Sequence, residues 1–311
     1  MNPAQSPDAK HGNVSSARLA RAITRRASTQ TYQIIRWLVD RGRTEDAFRA
    51  YAYFRWVDDV VDAPAVDRGA CLTFLARQKQ LCQDLMNGAR PASLNRHERM
   101  LADLMAGRDA HPGLPSYLER MMAVIEFDAL RRGRLITLAE LDRYTFLLAT
   151  AVWDAIEYFV GHTHRYLPGP ARVQAASGAH IIHMLRDTAD DLPAGYFNIP
   201  SELLEAHGLR PGDTQHPAYV AWVRERVEQA RRCFLEGKRY LRSTGCLRAT
   251  ITGYLYIARF EFVLRRIEAD GYHLRASYPP VLALPAFLAN LLRAHRLEMR
   301  GLRRTDAGGA G

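Results

Sequence analysis

The feature that most constrains this chain is an apolar residue at every third or fourth position along nearly every segment. This spacing lines apolar side chains along one face of an α-helix, whereas a half-buried strand would alternate apolar and polar residues. We find no convincing alternating segment. The pattern therefore predicts an all-α protein, and 311 residues with 48% hydrophobic content suffice for one large core or two modest ones.

Local capping chemistry sets the expected helix boundaries. Thr44, followed by two acidic residues, can begin a helix that ends near Ala63, and Thr137 with Glu140 forms a capping box before the longest apolar segment. Glycine and proline at 168–170 should end that segment. Further long helices are expected at residues 171–191, 215–243 and 247–270, with a proline- and glycine-containing stretch at 192–213. We expect roughly ten helices in all.

The chain is expected to form one domain over residues 17–301, with flexible tails at 1–16 and 302–311, because it shows neither an internal repeat nor a linker. The polar N-terminus lacks the apolar core of a secretion signal, which predicts a cytoplasmic protein. The net charge of +10 is spread over amphipathic segments without the patterns of nucleic-acid-binding domains, so no nucleic acid partner is expected. Segment 281–304 could give a weak association with an anionic membrane surface.

The segment RWVDDVVDAP places three aspartates in an otherwise apolar run. On the expected helix, Tyr51, Arg55, Asp58 and Asp62 fall within about 60° of one another and form one polar stripe. Phe54 lies to one side of this stripe. Taken alone, such a stripe fits a solvated helix face as well as it fits a metal site.

A second acidic stripe occurs in HIIHMLRDTADDLPAGYFNIP. On the helix expected there, His180, His183, Asp187 and Asp191 fall within about 60° of one another, with Arg186 at the flank. Two helices that each present two carboxylates can hold hard divalent cations if they face each other. Magnesium fits this pattern because it takes one or two carboxylates, keeps several waters and is completed by substrate phosphates. The sequence therefore predicts magnesium and a diphosphate substrate.

Two competing metal sites explain the acidic stripes less well. A di-iron bundle needs Glu-x-x-His motifs, which we do not find in this chain. A zinc site would have to use histidines without thiolate partners, beside hard carboxylates. The histidines available for it are His162, His164, His180 and His183.

Together these motifs resemble those of the squalene/phytoene synthase family, helical prenyltransferases that ionise allylic diphosphates. The matching segments, in the family's order and spacing, are STQTY, YAYFRWVDDVVD, LAELDRYTFLLA, MLRDTADDLPAGYFNIP and FVLRRIEADGY. They span about residues 28–278. The resemblance implies a single-domain, isoprenoid synthase-type helical bundle around a central cavity.

The resemblance also implies roles for individual residues. It makes Tyr144 a pocket tyrosine, and it implies two or three magnesium ions bound with a prenyl diphosphate. The implied metal ligands are Asp58, Asp62, Asp187 and Asp191. The implied diphosphate contacts are Tyr51, Arg55 and Arg186. Aromatic faces that could stabilise the allylic cation are those of Tyr51, Phe54 and Tyr144.

Three departures from the family pattern bear on the reaction. His180 and His183 stand where members that join two prenyl chains head to head usually carry glutamine and asparagine. The segment GYFN at 195–198 replaces the usual GRxY. Trp153 stands where a glycine would leave room for a long hydrocarbon, so its indole should shorten or redirect the cavity.

These departures favour transfer of a short prenyl group to a flat, indole- or carbazole-like acceptor in secondary metabolism, as in bacterial members of the family that prenylate carbazole-type alkaloids. A ring proton must then leave, and the candidate acceptors are His180, His183, Asp154 and Glu157. The alternative reaction is head-to-head condensation of two farnesyl or geranylgeranyl diphosphates, which needs a long tunnel. Structural roles stay open too: the histidines could bond neighbouring carboxylates, and Asp154 and Glu157 could pair with arginines of another helix.

Overall fold

The computed structural model describes residues 15–63, 67–109 and 111–278. These residues form eleven α-helices and no β-strand, which confirms the expected all-α fold. One isolated β-bridge joins Ile136 to Pro200. None of the helices in these ranges combines the length and the apolar character that crossing a membrane requires.

The chain divides into two compact units, one reaching to His111 and the other beginning at Pro112. The single domain expected over residues 17–301 stays a prediction. The C-terminal tail and the candidate membrane-surface segment at 281–304 lie outside the described residues, as does the N-terminal tail up to residue 14.

The first unit is built around the helix that carries the first acidic motif. Its helices are α1 (Ser16–Ala27), α2 (Thr29–Leu38), α3 (Thr44–Val61), α4 (Arg68–Met86) and α5 (Glu98–Ala106). Helix α3 begins at Thr44, as expected, and packs mainly against α1 and α5. Its buried face includes Phe48, Phe54, Val57 and Val61. The polar stripe lies between these buried residues, because Phe48 and Phe54 are each about 60° from Tyr51 around the helix.

A buried polar network fixes α3 against its neighbours. The Tyr53 hydroxyl donates to Gln78 Oε1 at 3.0 Å, and Gln78 Nε2 donates to Glu98 Oε1 at 3.0 Å. Arg77 pairs with the same carboxylate, so the buried charge of Glu98 is compensated. The network ties α3 to α4 and α5 and holds the acidic stripe in a defined orientation.

The second unit is built around the helix that carries the second acidic motif. Its helices are α6 (Gly113–Arg131), α7 (Leu138–Phe159), α8 (Gln174–Ala194), α9 (Ser201–His207), α10 (Pro217–Ser243) and α11 (Leu247–Ala269). Helix α8 packs against α7, α10 and α11, and so lies at the centre of this unit. Helix α9 falls within the stretch that the sequence assigns to proline- and glycine-containing connections.

Helix α7 begins where the sequence predicts and ends earlier. The capping box forms, with Thr137 Oγ1 accepting from the Glu140 backbone N–H and the Glu140 carboxylate accepting from the Thr137 backbone N–H. The helix ends at Phe159 rather than at the prolines that follow, because Val160 adopts an extended conformation. The Tyr166 hydroxyl donates to the Val160 carbonyl at 2.6 Å, which satisfies an end group of the helix.

Helix α8 is shifted toward the C-terminus relative to the expected 171–191. A short 3₁₀ turn, Pro170–Val173, occupies the expected first residues. The helix continues past Asp191 to Ala194 and ends at Gly195, whose φ of 86° is a left-handed conformation that suits glycine. The acidic residues of the second motif therefore all lie within regular helix and keep their spacing.

Candidate active site

The first acidic stripe lies on the last turns of α3. Arg55 bonds Asp59 at 2.5 Å and pairs more loosely with Asp58, at 3.5 Å between Nη1 and Oδ2. Asp62 caps the C-terminus of the helix, and its backbone N–H donates to the Asp58 carbonyl at 2.9 Å. Asp58, Asp59 and Asp62 therefore project from one end of α3, and Arg55 offsets part of their repulsion.

The aromatic residues of the first motif differ in exposure. Phe54 is buried and meets the Tyr53 ring edge-on, with centroids 5.2 Å apart, so it belongs to the core of the first unit. Tyr51 is half-buried on the polar stripe. The contact of Tyr51 with a diphosphate, and the pocket-shaping role of Phe54, stay predictions.

The Asp187 carboxylate is the most strongly bonded group of the second stripe. Arg186 donates to both of its oxygens, from Nε at 2.5 Å and from Nη2 at 2.7 Å. His183 Nε2 lies 2.8 Å from Asp187 Oδ2. Burial pushes the pKa of Asp187 upward, but the bonds from Arg186 and His183 outweigh it and hold the pKa below its usual range. Asp187 is therefore ionised at neutral pH.

Asp191 lies one turn further along α8 and has a different partner. Asn198 Nδ2 donates to Asp191 Oδ2 at 2.6 Å. Burial raises the pKa of Asp191, the Asn198 bond opposes that rise, and the nearby charge of Asp187 adds to it. Asp187 and Asp191 thus lie four residues apart on one helix face, as the sequence predicts. Arg186 and His183 contact Asp187, whereas Asn198 donates to Asp191.

The donor set fits magnesium by its chemistry. Among the residues that the structure describes, no three His, Cys, Asp or Glu side chains converge into a site that could hold a metal without other ligands. Magnesium needs only one or two carboxylates, since water and substrate phosphates complete its shell. The bonds that Asp187 and Asp191 already accept leave room for a further ligand, because a carboxylate has about four acceptor positions.

Tyr144 lies on α7 among charged and aromatic neighbours. Its hydroxyl donates to Asp128 Oδ2 at 2.5 Å. The Phe127 ring stacks on it at 4.9 Å, and the Arg131 guanidinium lies 5.2 Å from its centroid. The Tyr144 ring therefore packs against Phe127 and Arg131, and its contact with an allylic cation stays a prediction.

His180 is the most unusual side chain of the second stripe. It is 3% exposed, and neither of its ring nitrogens has a hydrogen-bond partner among the described residues. Its ring meets Tyr144 edge-on at 4.6 Å. Burial, followed by the electrostatic effect of neighbouring His183, Arg131 and Arg226, lowers the pKa of His180 well below its usual value. The imidazole is therefore neutral and able to both donate and accept.

Trp153 lies in the packing between α7, the loop after it and α10. Its ring meets Tyr166 and Tyr240 edge-on, at 5.2 and 5.1 Å. Its indole Nε1 donates to Glu157 Oε2 at 3.2 Å, so this pair is bonded within one helix. The structure does not place Trp153 among the contacts of Tyr144.

Asp154 is buried and compensated from another helix. Ser116 Oγ on α6 donates to Asp154 Oδ2 at 2.9 Å, and Arg120 pairs with the same oxygen. The pair between Asp154 and Arg120 is the structural role that the sequence leaves open for Asp154, namely an ion pair with an arginine of another helix. Burial of an unpaired carboxylate would be costly, so the pair stabilises the contact between α6 and α7.

Three residues near the second stripe were not identified from the sequence. Asp128 and Arg131 lie on α6, and Asn198 lies after α8, in the segment noted only for lacking GRxY. Arg131 donates to Asn198 at 3.0 Å and to Asp128 at 2.7 Å. The helical spacing of Asp128 and Arg131 reveals their own ion pair, but no sequence pattern reveals a partner 67 residues away.

Solved structures share this fold at low sequence identity. A squalene synthase, HpnC from Alicyclobacillus acidocaldarius, superposes with a TM-score of 0.65 and 19% identity, covering 84% of this chain and 95% of that one. A dehydrosqualene synthase in complex with ligand gives a TM-score of 0.67 and 15% identity, covering 92% and 97%. Both show that the chain has the all-α isoprenoid synthase fold.

Sequence comparison identifies the family. A phytoene synthase from Thermus thermophilus is 29% identical over 168 residues, which are 50% of this chain and 56% of that protein. The match thus spans about half the length of this curated relative. The family model described as squalene/phytoene synthase matches residues 24–285, which include both acidic motifs. The chain belongs to the squalene/phytoene synthase family.

Proposed function

We propose that this protein is a magnesium-dependent prenyltransferase that condenses two prenyl diphosphates head to head. The observation that carries the proposal is the family match over residues 24–285, which spans every predicted metal ligand. Relatives named phytoene, squalene and dehydrosqualene synthase support the same reaction. They support condensation better than transfer to an aromatic acceptor, which the sequence alone favours.

In the first step, the bond between C1 and oxygen of the donor diphosphate breaks, and its electrons leave with the diphosphate. The predicted metal ligands are Asp58, Asp62, Asp187 and Asp191. When bound, magnesium supplies positive charge that stabilises the departing diphosphate. Arg55 and Arg186 add guanidinium donors, which suit phosphate oxygens because of their planar fork. The allylic cation that remains must be kept from water.

In the second step, the double bond of the second prenyl chain attacks the cation, and loss of one proton closes a cyclopropane, so that the first product keeps the diphosphate of the second chain. Departure of this second diphosphate then gives the C30 or C40 product. The chain must therefore offer a proton acceptor or leave that task to the released diphosphate. His180 is a candidate acceptor because its imidazole is neutral and has no hydrogen-bond partner among the described residues. Burial and the neighbouring cations lower its pKa, so the negative charge of the released diphosphate would have to stabilise the imidazolium that forms.

The same observation favours a second candidate, transfer to an aromatic acceptor. An indole or a carbazole carries an N–H that could donate to His180, whereas a hydrocarbon chain offers the ring nitrogens no partner. A ring carbon would attack the allylic cation, and the proton on that carbon would pass to the released diphosphate, because the N–H of the aromatic acceptor occupies the one acceptor nitrogen of neutral His180. Trp153 adds no support, because it packs on Tyr166 and Tyr240.

Product analysis distinguishes the two candidates. The purified full chain is incubated with Mg²⁺ and dimethylallyl, geranyl, farnesyl or geranylgeranyl diphosphate, each with and without indole or carbazole. Condensation predicts a C30 or C40 product and released diphosphate without any acceptor. A prenylated aromatic product, formed only when the acceptor is present, would instead establish the second candidate. Absence of diphosphate release from every substrate would contradict both.

A further inference from the structure

A buried chain of hydrogen bonds leads from Arg131 to Asp191. Arg131 is 5% exposed, and its Nη1 donates to Asn198 Oδ1 at 3.0 Å. The amide of Asn198, also buried, donates from Nδ2 to Asp191 Oδ2 at 2.6 Å and to the Met184 carbonyl at 3.1 Å. One side chain thus joins a cation on α6 to a carboxylate on α8.

Arg131 is held from several sides. Its Nε donates to Asp128 Oδ1 at 2.7 Å, and the other oxygen of Asp128 accepts from the Tyr144 hydroxyl at 2.5 Å. The guanidinium lies 5.2 Å from the centroid of the Tyr144 ring and 4.9 Å from that of Tyr196. A guanidinium fixed by a carboxylate and two aromatic rings has little freedom to leave Asn198.

The bond from Arg131 decides which way the Asn198 amide points. A guanidinium only donates, so it must meet the amide oxygen, and the NH₂ group then faces Asp191 and the Met184 carbonyl. In the opposite orientation, the amide oxygen would face the Asp191 carboxylate and the NH₂ group would face Arg131. Both contacts would then be repulsive.

We propose that Arg131 is a positioning residue for Asp191, acting through the amide of Asn198. Arg131 fixes the amide of Asn198, and the amide fixes the rotamer of the Asp191 carboxylate on α8. This inference rests on the proposed function, in which Asp191 binds magnesium with a diphosphate. It adds to that function a pair of residues that hold a metal ligand in place without touching the metal.

The test measures binding of magnesium diphosphate to the full chain by calorimetry, together with the dependence of prenyl diphosphate turnover on Mg²⁺ concentration. Loss of such an outer contact typically weakens metal affinity by about 10- to 100-fold, so R131Q and N198A should each show a loss in this range. The affinity of R131K for magnesium diphosphate should lie between those of R131Q and the wild type, because a lysine ammonium can still donate a hydrogen bond to Asn198 but lacks the planar fork of a guanidinium. Turnover of N198A at saturating Mg²⁺ should recover most of the wild-type rate.

R226Q is the matched control. Arg226 is equally buried in the same unit, donates to Gln229 at 2.8 Å and pairs with Asp142 at 3.6 Å, with no bond to Asp191 or Asn198. Its charge affects the pKa of His180 but is not among the causes that shift the pKa of Asp191. R226Q should therefore lower stability in urea unfolding without changing the affinity for magnesium diphosphate.

Several results would overturn the inference. One is wild-type affinity, within about twofold, in folded R131Q and N198A. Another is an equal loss of affinity in R226Q, which would make the effect one of general destabilisation. If R131Q does not fold, N198A decides the matter. If the wild type turns over prenyl diphosphate and N198A binds magnesium diphosphate with unchanged affinity, this inference alone is wrong. If the wild type neither binds magnesium diphosphate nor turns over prenyl diphosphate, the proposed function is wrong as well.

Discussion

Tyr144 and Trp153 lie nine residues apart on α7, and their rings project from opposite faces of that helix. At about 100° per residue the separation is about 180°, and the contacts agree with it. Tyr144 meets His180, whereas Trp153 meets Tyr166 and Tyr240. These contacts therefore do not support a role for Trp153 in shortening a cavity beside Tyr144.

Replacement of Trp153 should affect stability rather than product length. W153A removes a fully packed indole and should lower the free energy of unfolding by about 3–5 kcal/mol, measured by urea unfolding. W153F should lower the free energy of unfolding by less than W153A does. It should leave the chain length of the product unchanged, as measured by gas chromatography with mass spectrometry. Trp37 is 69% exposed, so W37A is the control and should stay within about 0.5 kcal/mol of the wild type. A longer product from W153F would show that the indole limits the cavity.

Removal of single carboxylates tests the metal ligands. D58N and D187N each replace a charged magnesium ligand with a neutral amide, and a loss of about 3 kcal/mol of charge stabilisation would slow turnover about a hundredfold. D84N removes a half-buried carboxylate of α4 that accepts from Gln80, and it should keep the wild-type rate. Chelation with EDTA should abolish diphosphate release, and added Mg²⁺ should restore it. Wild-type turnover by D58N would show that Asp58 on α3 is not a magnesium ligand.

The close approach of α8 and α10 depends on Gly237. A Cβ there would lie 2.6 Å from the Ala175 backbone nitrogen, closer than packed atoms allow. G237A should therefore lower the free energy of unfolding by about 1–3 kcal/mol, although alanine favours helix more than glycine does. G212A is the control, because no atom lies within 4 Å of its Cβ position. Equal midpoints for both variants in urea would contradict the tight contact.

The sequence predicts those features that depend on local spacing. The acidic stripes, the start of α3 and the capping box of α7 follow from residues three or four positions apart, and the structure confirms the helices that carry them. Features that depend on tertiary contacts are missed. The early end of α7 involves the bond from Tyr166 to Val160, and the Arg131–Asn198 bond joins positions 67 residues apart. Neither contact leaves a periodic signal.

Glu140 links the capping box to acid stability. The hydrogen bond from Arg134, followed by that from the Thr137 backbone N–H, lowers the pKa of Glu140 to about 2. The pKa of Glu140 is thus lower in the folded chain than in the unfolded chain. Ionised Glu140 therefore stabilises the fold above about pH 4.5, and this stabilisation is lost as the pH falls toward about 2. The difference in free energy of unfolding between wild type and E140Q should shrink over this interval.

Thr137 supplies the other half of the capping box. T137A should cost about 1 kcal/mol at neutral pH, because the Glu140 backbone N–H loses its acceptor. The exposed loop residue Thr163 provides the control T163A, which should be neutral. An E140Q difference that stays constant from about pH 5 to about pH 2 would argue against the ionised box.

His180 separates function from stability, because its nitrogens have no hydrogen-bond partner among the described residues. Replacing a buried polar group that has no hydrogen-bond partner by an apolar group of similar size is close to neutral or stabilising. The free energy of unfolding of H180L in urea should therefore equal that of the wild type or exceed it by up to about 1 kcal/mol. Turnover should nevertheless fall, since the proton acceptor is gone. The control is H164L, which loses the bond from the ring of His164 to the Thr244 carbonyl and should be less stable by about 1 kcal/mol. A destabilised H180L with full turnover would mean that His180 serves packing, and the released diphosphate would then be the remaining proton acceptor.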